Sequence, residues 1–373
     1  MPSPGSSDTS ESSIRGIDRM ALARARGALA AAGLPVEIKL ERASSVTNEV
    51  WLSDDFAVRI NRQPNQRLWR EAIIGPLLPT EVGYPTVVAY GGEVGKDWLI
   101  SRRVSGQPLS RCWPTMTRTL RRQATRELAN KLQSLHQFEG PDDLPEIDTP
   151  QLLDPHTFRA IDPLLVGLAK AATLEHVPRH LIDQARSIVF GTSSCIEPYR
   201  QRTFIHGDLS FENMLWDGEH LTALVDFEFS RRAPNDVDLD VLLRFCAFPF
   251  LHVAQDYEHE THASDYAEVP YWIVEDYPAI VEFDQQFERL RLYSIAYDVR
   301  EILNTPPTKS IRSLAIHHPL RRLERTIDGM SHLDRLVGEQ PSESLTLDQL
   351  KIGNPTGNPT GDAAPELGRL FNR

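Results

Sequence analysis

The stretch that decides the fold is FIHGDLSFENMLWDGEHLTALVDFEF, residues 204–229. Its first half places three polar residues, His206, Asp208 and Asn213, within an otherwise apolar run. Burying a polar group costs free energy unless the group is paired. These three side chains must therefore either stabilise a turn or be presented for chemistry.

The second half of this stretch predicts a β-hairpin. MLW at 214–216 and LTALVDF at 221–227 have the composition of strands, and the Asp217-Gly218 pair between them is typical of a tight turn. Pairing of the strands would bring the loop before the first strand close to Asp226, at the end of the second. Two carboxylates and one amide would then converge on a small scaffold.

Phosphoryl transfer uses this set of groups. Asp208 would accept the proton of the attacking hydroxyl, while Asn213 and Asp226 would hold Mg²⁺, a cation that prefers oxygen ligands. Positioning and electrostatic stabilisation supply most of the catalysis in this reaction. We assign His206 to the organisation of the loop, because Asp208 is better placed to act as the base.

The spacing of these residues matches the catalytic loop of kinases. Asp208 and Asn213 are separated as in H-R-D-x-x-x-x-N, with Gly207 in place of arginine, and DFE at 226–228 stands where that signature has Asp-Phe-Gly. HGDLSFEN together with VDFE resembles the aminoglycoside phosphotransferase family and its choline-kinase-like relatives. The likeness extends, in order, over roughly residues 15–335.

The resemblance implies an α+β, two-lobed protein-kinase-like fold. A small N-terminal antiparallel β-sheet lobe with one helix would bind the nucleotide, and a larger, mainly α-helical lobe would carry the catalytic loop. The implied activity is transfer of the γ-phosphate of ATP or GTP, with Mg²⁺, to a hydroxyl group of a small cationic or sugar-like acceptor.

The strand candidate FAVRI, residues 56–60, is predicted to supply a cation to the nucleotide phosphates. Alternation places Ala57 and Arg59 on one face, as in the V-A-I-K signature of kinases, with Ala57 under the base and Arg59 in the position of the lysine. A guanidinium also binds phosphate, in a bidentate manner. Glu71, in the next predicted helix, would brace Arg59. The alternatives are an exposed edge-strand arginine and an ordinary solvated glutamate.

Two further segments are predicted to contact the nucleotide. ERASSVTNEVW, residues 41–51, lies where a phosphate-covering loop belongs, although it has no glycine-rich motif. Its hydroxyl and backbone N–H groups can bind phosphate. The side chains concerned are Ser44, Ser45 and Thr47. The segment 101–104, with Ser101 and Arg103, is the predicted hinge beside adenine.

The organisation of the chain follows from composition and periodicity. We predict a disordered tail at 1–14, a nucleotide-binding lobe at 15–104, a helical catalytic and substrate lobe at 105–338 and a flexible tail at 339–373. The predicted strands outside the hairpin are 36–40, 49–53, 56–60, 84–90 and 97–104. The predicted helices are 18–32, 66–74, 117–135, 178–189, 238–245 and 283–303.

Composition and charge disfavour several classes of protein. The net charge of −12 at pH 7 argues against binding to nucleic acid or to an anionic membrane, because such binding favours a basic face. The three cysteines form no CxxC pair, and no apolar run approaches the length of a membrane span. The N-terminus lacks the apolar segment of a secretory signal. We expect a cytoplasmic protein, and no pattern indicates its oligomeric state.

An acidic, aromatic segment at 254–284 contains nine acidic residues and no lysine or arginine. Two interpretations remain open. It is either part of a pocket for a cationic or sugar-like acceptor, as acidic side chains bind amino-bearing substrates in the resembling family, or an acidic loop that faces water, as charge runs usually do.

Other assignments rank lower. A catalytically silent nucleotide-binding regulatory protein of the same fold is the second hypothesis, but none of the base or metal-binding residues is missing. A kinase acting on protein side chains is disfavoured because no APE-type segment follows Asp226. EHETH, residues 258–262, is not the HExxH zinc pattern. Asp238 is predicted to be structural, capping a helix and bracing the catalytic loop.

Overall fold

The fold combines a small lobe built on an antiparallel sheet with a larger, mostly helical lobe. The structure, a computed structural model, describes residues 8–45, 48–141, 143–147, 151–153, 159–196, 203–304 and 310–331, with side chains from Arg19 onward. Thr47 and the predicted tail at 339–373 lie outside the described residues. In the described ranges, no helix is both long and apolar enough to cross a membrane.

The small-lobe sheet has five strands in the order β1-β2-β3-β5-β4, and every neighbouring pair is antiparallel. The strands are β1 (Glu41–Ala43), β2 (Glu49–Leu52), β3 (Phe56–Ile60), β4 (Val87–Gly91) and β5 (Trp98–Arg102). Phe56, Val58 and Ile60 are buried against helix α1 (Asp8–Ala31), which leaves Ala57 and Arg59 on the opposite face of the central strand.

The predicted strand at 36–40 is wrong, because this segment forms bends. Val36, Ile38 and Leu40 are partly buried and pack against the small-lobe core. Their alternation therefore reflects one-sided packing without backbone pairing, and pairing starts only at Glu41. Alternation of apolar and polar residues indicates which side chains face the core, whether or not a neighbouring strand is present.

The N-terminal boundary also differs from the prediction. Helix α1 begins at Asp8 rather than at Asp18, so part of the predicted disordered tail at 1–14 is helical.

The large lobe is organised around buried faces of its helices. The helices beyond α1 are α2 (Arg67–Ile74), α3 (Leu109–Cys112), α4 (Arg118–Gln137), α5 (Asp162–Ala171), α6 (Arg179–Thr192), α7 (Asp236–Ala247), α8 (Val269–Asp276), α9 (Gln286–Asn304) and α10 (Pro319–Ile327). The N-cap of α4 is Thr117, whose hydroxyl accepts a hydrogen bond from the N–H of Leu120 at 3.3 Å. All of these except α2 belong to the large lobe.

Helix α2 lies in the small-lobe sequence but is bonded to the large lobe. Arg70, which is buried, donates hydrogen bonds to the carbonyl oxygens of Glu228 at 3.1 Å and Ser230 at 2.6 Å. Arg67 donates to the Glu228 carboxylate at 2.9 Å. The helix is thus fixed against the segment that follows Asp226.

Short strands in the large lobe hold the predicted catalytic loop, residues 206–213. They are β6 (Gln107–Pro108), β7 (Thr203–Ile205), β8 (Met214–Trp216), β9 (Leu221–Leu224) and β10 (Arg231–Ala233). The hairpin of β8 and β9 has the predicted turn, and β10 pairs with β7. The second strand ends at Leu224 rather than at 227, because Asp226 has a left-handed backbone (φ 68°) that cannot continue a ladder.

Candidate active site

The catalytic loop leaves β7 through a turn at Gly207 that requires glycine. The backbone of Gly207 is left-handed (φ +82°), and a Cβ atom there would lie 2.3 Å from the carbonyl oxygen of Phe229. A side chain is excluded by conformation and by space. This explains why HGD replaces the H-R-D of the kinase signature.

Asp238, in the first turn of α7, braces this loop. Its carboxylate accepts hydrogen bonds from the N–H groups of His206 and Gly207, each at 2.8 Å, and pairs with His136 Nε2 at 3.1 Å. Burial acts to raise the pKa of Asp238, but the hydrogen bond with His136 and the N–H of Gly207 hold that pKa below its usual value. The predicted helix cap is wrong: α7 starts after Asn235, so Asp238 lies inside the helix.

His206 connects the loop to the hairpin. Its Nδ1 accepts the N–H of Asp208 at 3.3 Å, and its Nε2 lies 3.0 Å from the carbonyl oxygen of Val225. Since the first contact needs a lone pair on Nδ1, the proton lies on Nε2, which donates to Val225. Both ring nitrogens are therefore used in holding the loop.

Asp208 and Asn213 face each other across the loop. The Asn213 amide donates to the backbone oxygen of Asp208 at 2.8 Å and to its Oδ2 at 3.1 Å. Burial, followed by the nearby charge of Asp226, raises the pKa of Asp208. A carboxylate held in a fixed orientation with a raised proton affinity is suited to accept a proton from a hydroxyl group.

Asp226 reaches the same cleft from the end of the hairpin. Its left-handed backbone is uncommon for a residue with a side chain, and such strained positions concentrate at functional sites. Its Oδ1 accepts a hydrogen bond from Arg59 Nη2 at 2.7 Å. The structure thus brings Asp208 and Asp226 together, and Asp226 also contacts Arg59, the predicted cation of the small lobe.

Arg59 bridges the two lobes. It donates to Glu71 and to Asp226, and Glu71 is further held by the hydroxyl of Tyr84 at 2.9 Å. Burial opposes the charged form, but Glu71 and Asp226 keep the pKa of Arg59 well above its ordinary value. Arg59 lies on the central strand, and Glu71 is fully buried. Neither residue is the exposed surface group that the alternative interpretation described.

Glu228, the last residue of DFE, is a member of the site that the sequence analysis did not single out. It is 2% exposed, accepts from Arg67 at 2.9 Å and lies 4.0 Å from Arg59 Nη2. Burial and the charge of Asp226, opposed by Arg59 and Arg67, raise its pKa to about 9. The departure from Asp-Phe-Gly at this position was the available signal.

The residues predicted to cover the phosphates are placed in part. Ser44 donates to Asp256 across the cleft at 3.4 Å, and Ser45 donates to the carbonyl oxygen of Asn48. Both lie in the segment between β1 and β2, at the edge of the sheet. Ser44 thereby connects this loop to the acidic segment of the large lobe.

The predicted hinge residues separate into two roles. Ser101 pairs with Ala57 in the β3–β5 ladder and is buried, so these two residues are adjacent on the sheet, as a base-binding surface requires. Arg103 instead donates from Nη1 to the carbonyl oxygen of Ser53 at 2.8 Å. Its guanidinium and its backbone N–H, which donates to the carbonyl oxygen of Asp55 at 2.8 Å, both hold the β2–β3 turn.

The donor set fits the binding of Mg²⁺ together with a nucleotide. Burial and, after it, the charge of Asp226 raise the pKa of Asp208, and a bound cation would oppose both effects. The amide NH₂ of Asn213 is used within the loop, and among the described residues nothing donates to its oxygen. No group of three or more His, Cys, Asp or Glu side chains is arranged to hold a metal in the part of the chain described. Mg²⁺ typically uses one or two carboxylates plus phosphate oxygens.

A sequence profile described as "Phosphotransferase enzyme family" matches residues 40–272, more than half of the chain. The chain belongs to this family. No curated protein matches it. The matched range contains the catalytic loop, the DFE triplet and the Arg59–Glu71 pair, so the resemblance found in the motifs extends over both lobes.

Solved structures similar to this family member confirm the two-lobed kinase-like fold. A choline/ethanolamine kinase family protein from Mesorhizobium loti has a TM-score of 0.55 at 20% identity, covering 84% of this chain and 98% of that chain. The GDP complex of aminoglycoside 2'-phosphotransferase-IIIa has a TM-score of 0.52 at 18% identity, covering 79% and 94%. The streptomycin–ATP–APH(2")-IIa complex has a TM-score of 0.50 at 14% identity, covering 80% and 93%.

The acidic segment of this phosphotransferase family member is paired with arginines of α4. Its carboxylates Asp265, Glu268 and Asp276 bond to Arg121 at 3.3 Å, Arg118 at 2.5 Å and Arg122 at 2.8 Å, respectively. A cavity of about 470 Å³ opens at Asp208 and is lined by residues of β10, α7 and α9, none of them from 254–284. These paired carboxylates therefore lie apart from the cavity at Asp208.

Proposed function

We propose that this protein is an ATP- or GTP-dependent, Mg²⁺-dependent O-phosphotransferase that acts on a hydroxyl group of a small molecule. The observation that carries the proposal is the convergence of Asp208, Asn213 and Asp226 beside a lobe-bridging arginine. Structures with a similar fold include complexes with ATP, GDP and aminoglycosides, which supports a nucleotide donor and a small acceptor.

The reaction assigns a separate role to each residue. Asp208 accepts the proton of the acceptor hydroxyl, and the hydroxyl oxygen forms a bond to the γ-phosphorus. At the same time the bond between that phosphorus and the β–γ bridging oxygen breaks, and this oxygen leaves with the nucleoside diphosphate. Arg59, held by Glu71, binds phosphate oxygens. Asn213 and Asp226 would hold Mg²⁺, which neutralises phosphate charge when bound.

Hydrogen bonds from neighbouring residues hold Asp208 and Arg59 in fixed orientations. Asp208 is fixed by hydrogen bonds through His206 and Asp238, and Arg59 is fixed by a buried carboxylate. Side chains that are already oriented need no reorganisation in the transition state, which is the main source of catalysis by charged groups.

The test is Asp208→Ala, assayed by acceptor-dependent release of nucleoside diphosphate. Loss of a general base predicts a fall in turnover of at least about 100-fold. The Mg²⁺-dependent thermal shift with ATP should persist, because the substitution leaves Arg59 and Asp226 in place. The matched control is Asp265→Asn, which changes a carboxylate of the paired segment and should leave turnover unchanged.

Two results would contradict the proposal. Turnover by Asp208→Ala at the wild-type rate would remove the assigned base. A Mg²⁺-dependent nucleotide shift without phosphoryl transfer or ATP hydrolysis in the wild-type protein would favour the silent nucleotide-binding protein instead.

A further inference from the structure

The cavity beside Asp208 has arginine side chains on the walls that an acceptor would contact. Gly207 and Asp208 form one end, Arg231 projects from β10 and Arg300 from α9, and the volume of about 470 Å³ suits a small metabolite. The charge of Arg300 acts on Asp208, so the two groups share one electrostatic environment. An acceptor hydroxyl at Asp208 would therefore bring the rest of the molecule towards an arginine.

Arg300 is held as an available donor. Its guanidinium lies over the ring of Tyr297, 4.6 Å from the ring centroid, and its Nε lies 3.5 Å from the Glu301 carboxylate. In the ranges of the chain that the structure describes, Arg300 donates no hydrogen bond. Its side chain is 24% exposed. A planar guanidinium supported on an aromatic ring, with its donors unused, matches the requirements for binding an oxyanion.

Arg231 adds a second positive charge next to the catalytic loop. Its Nη1 donates to the carbonyl oxygen of Phe229 at 3.1 Å, the same oxygen that faces Gly207. This contact places the guanidinium on the cavity wall, next to the loop that carries Asp208.

The other charged groups of the cavity are compensated or neutral. Asp240 is bonded to Arg244 at 2.8 Å, and both are buried. Glu301 lies beside Arg300 itself. Burial, together with Arg244 and Arg322, lowers the pKa of His252 to about 3, so this imidazole is neutral at physiological pH. The lining that the structure describes thus holds three arginines and three carboxylates, and Arg300 is the arginine among them that donates no hydrogen bond.

We propose that the acceptor carries an oxyanion, a carboxylate or a phosphate monoester, which Arg300 binds with the support of Arg231 while the acceptor hydroxyl lies at Asp208. This inference rests on the proposed phosphoryl transfer and names the class of its acceptor. It reverses the cationic acceptor that the acidic segment suggested, because that segment is paired with α4 and does not line the cavity.

The first experiment compares acceptors that differ only in charge. We would measure kcat/KM with ATP and Mg²⁺ at constant ionic strength for two series of acceptors. The three-carbon series is glycerate, glycerol phosphate, glycerol and aminopropanediol. The six-carbon series is gluconate, sorbitol phosphate, sorbitol and glucamine. We expect an anionic member to have the highest kcat/KM in at least one series, and the carboxylate and phosphate arms identify which oxyanion is bound.

The other outcomes separate the two proposals. A cationic or neutral compound as the best acceptor in both series would overturn the oxyanion inference and leave phosphoryl transfer in place. Absence of transfer to every compound, with nucleotide binding retained, would overturn the proposed function and this inference with it.

The second experiment is Arg300→Gln with the best anionic acceptor. Loss of a charge-assisted hydrogen bond predicts an increase in KM of about tenfold or more, with kcat/KM for the matched neutral alcohol changed by less than about threefold. Arg300→Lys should recover part of the affinity because it keeps the charge. Arg186→Gln, on a solvent-exposed face of α6, is the control. An unchanged KM for the anion in Arg300→Gln would overturn the role of Arg300.

Discussion

Two regions of this protein concentrate carboxylates, the catalytic cleft and the segment 254–284. In the segment, Asp265, Glu268 and Asp276 each have an arginine of α4 as partner. In the cleft, Asp208 and Asp226 lie close enough to raise a carboxyl pKa, and the only cation bonded to either of them within the described residues is Arg59. Carboxylates are thus neutralised by arginines in the segment, whereas in the cleft two carboxylates lie close to each other.

The difference separates structural charge from catalytic charge. A paired surface carboxylate contributes little free energy and attracts no further ligand. Carboxylates that repel each other on a rigid scaffold bind a cation with a gain in free energy, and perturbed pKa values of this kind cluster at functional sites. The density of charge in the sequence left two interpretations of the segment 254–284 open, whereas the arrangement in space distinguishes its paired carboxylates from those of the cleft.

The largest contrast is expected between Asp226→Asn and Asp276→Asn. Asparagine tolerates the left-handed backbone of position 226, so the first variant should fold but lose a charged oxygen ligand. We expect turnover to fall by about 100- to 1000-fold, the effect of several kcal/mol of lost charge stabilisation. Asp276→Asn should keep turnover within about twofold. Diphosphate release over a Mg²⁺ titration measures both, and equal losses would erase the distinction between the regions.

A second contrast concerns Asp238, a carboxylate that is buried and yet fully paired. In Asp238→Asn a single amide oxygen must replace two acceptors, so one N–H of the catalytic loop or the His136 contact is lost. We expect the free energy of unfolding to fall by about 3 kcal/mol, and kcat to fall with it because Asp208 is displaced. Denaturant unfolding and steady-state kinetics test this; a stable variant with normal kcat would show that the loop needs no brace.

The pH dependence of stability contrasts two histidines. His252 has a folded-state pKa of about 3, below its unfolded value near 6.5, so its contribution is present above pH 6.5 and is lost as pH falls. The loss is on the order of 2 kcal/mol between pH 7 and pH 5. The pKa of His220 is raised by its hydrogen bond with Glu127, so its contribution has the opposite sign, present at low pH and lost as pH rises.

Unfolding midpoints of wild type, His252→Asn and His220→Asn between pH 5 and pH 8 measure how each histidine changes stability with pH. The first substitution should flatten the fall in stability below pH 6.5, whereas the second should not. Parallel pH profiles for wild type and His252→Asn would show that the imidazole is not kept neutral.

The smallest effect is expected from neutralising Asp256, Glu258 and Glu260 together, as Asp256→Asn, Glu258→Gln and Glu260→Gln. None of these residues lines the cavity at Asp208. We expect the KM of the acceptor to change by less than about twofold, within the range of surface substitutions. A large increase in KM for a cationic acceptor would restore the acidic segment as a binding surface.

The catalytic loop and the hairpin were predictable because their signals are local. Asp208, Asn213 and Asp226 lie within one continuous stretch whose turn chemistry fixes their approach. The pairing of Arg59 with Glu71 followed from alternation in a strand and the position of the next helix. Such relationships depend on a few neighbouring residues, and a single sequence contains them.

The remaining parts depend on contacts between distant residues. Asp238 accepts from a loop 31 and 32 positions earlier, and Arg67 meets Glu228 across 161 positions. The partners of the acidic segment lie on α4, more than 140 positions before it. No local pattern indicates which of several carboxylates will face an arginine, so the partners of the charge run and the walls of the cavity could be identified only from the folded chain.

The bonding of α2 to the large lobe has a consequence for the alignment of the two lobes. Arg70 and Arg67 bond this helix to the segment after Asp226, so Glu71 is fixed relative to Asp226 although its sequence neighbours belong to the sheet. Arg59, on the sheet, donates to both of these carboxylates. The position of the sheet relative to the large lobe is therefore tied to the geometry of one three-residue ion-pair cluster.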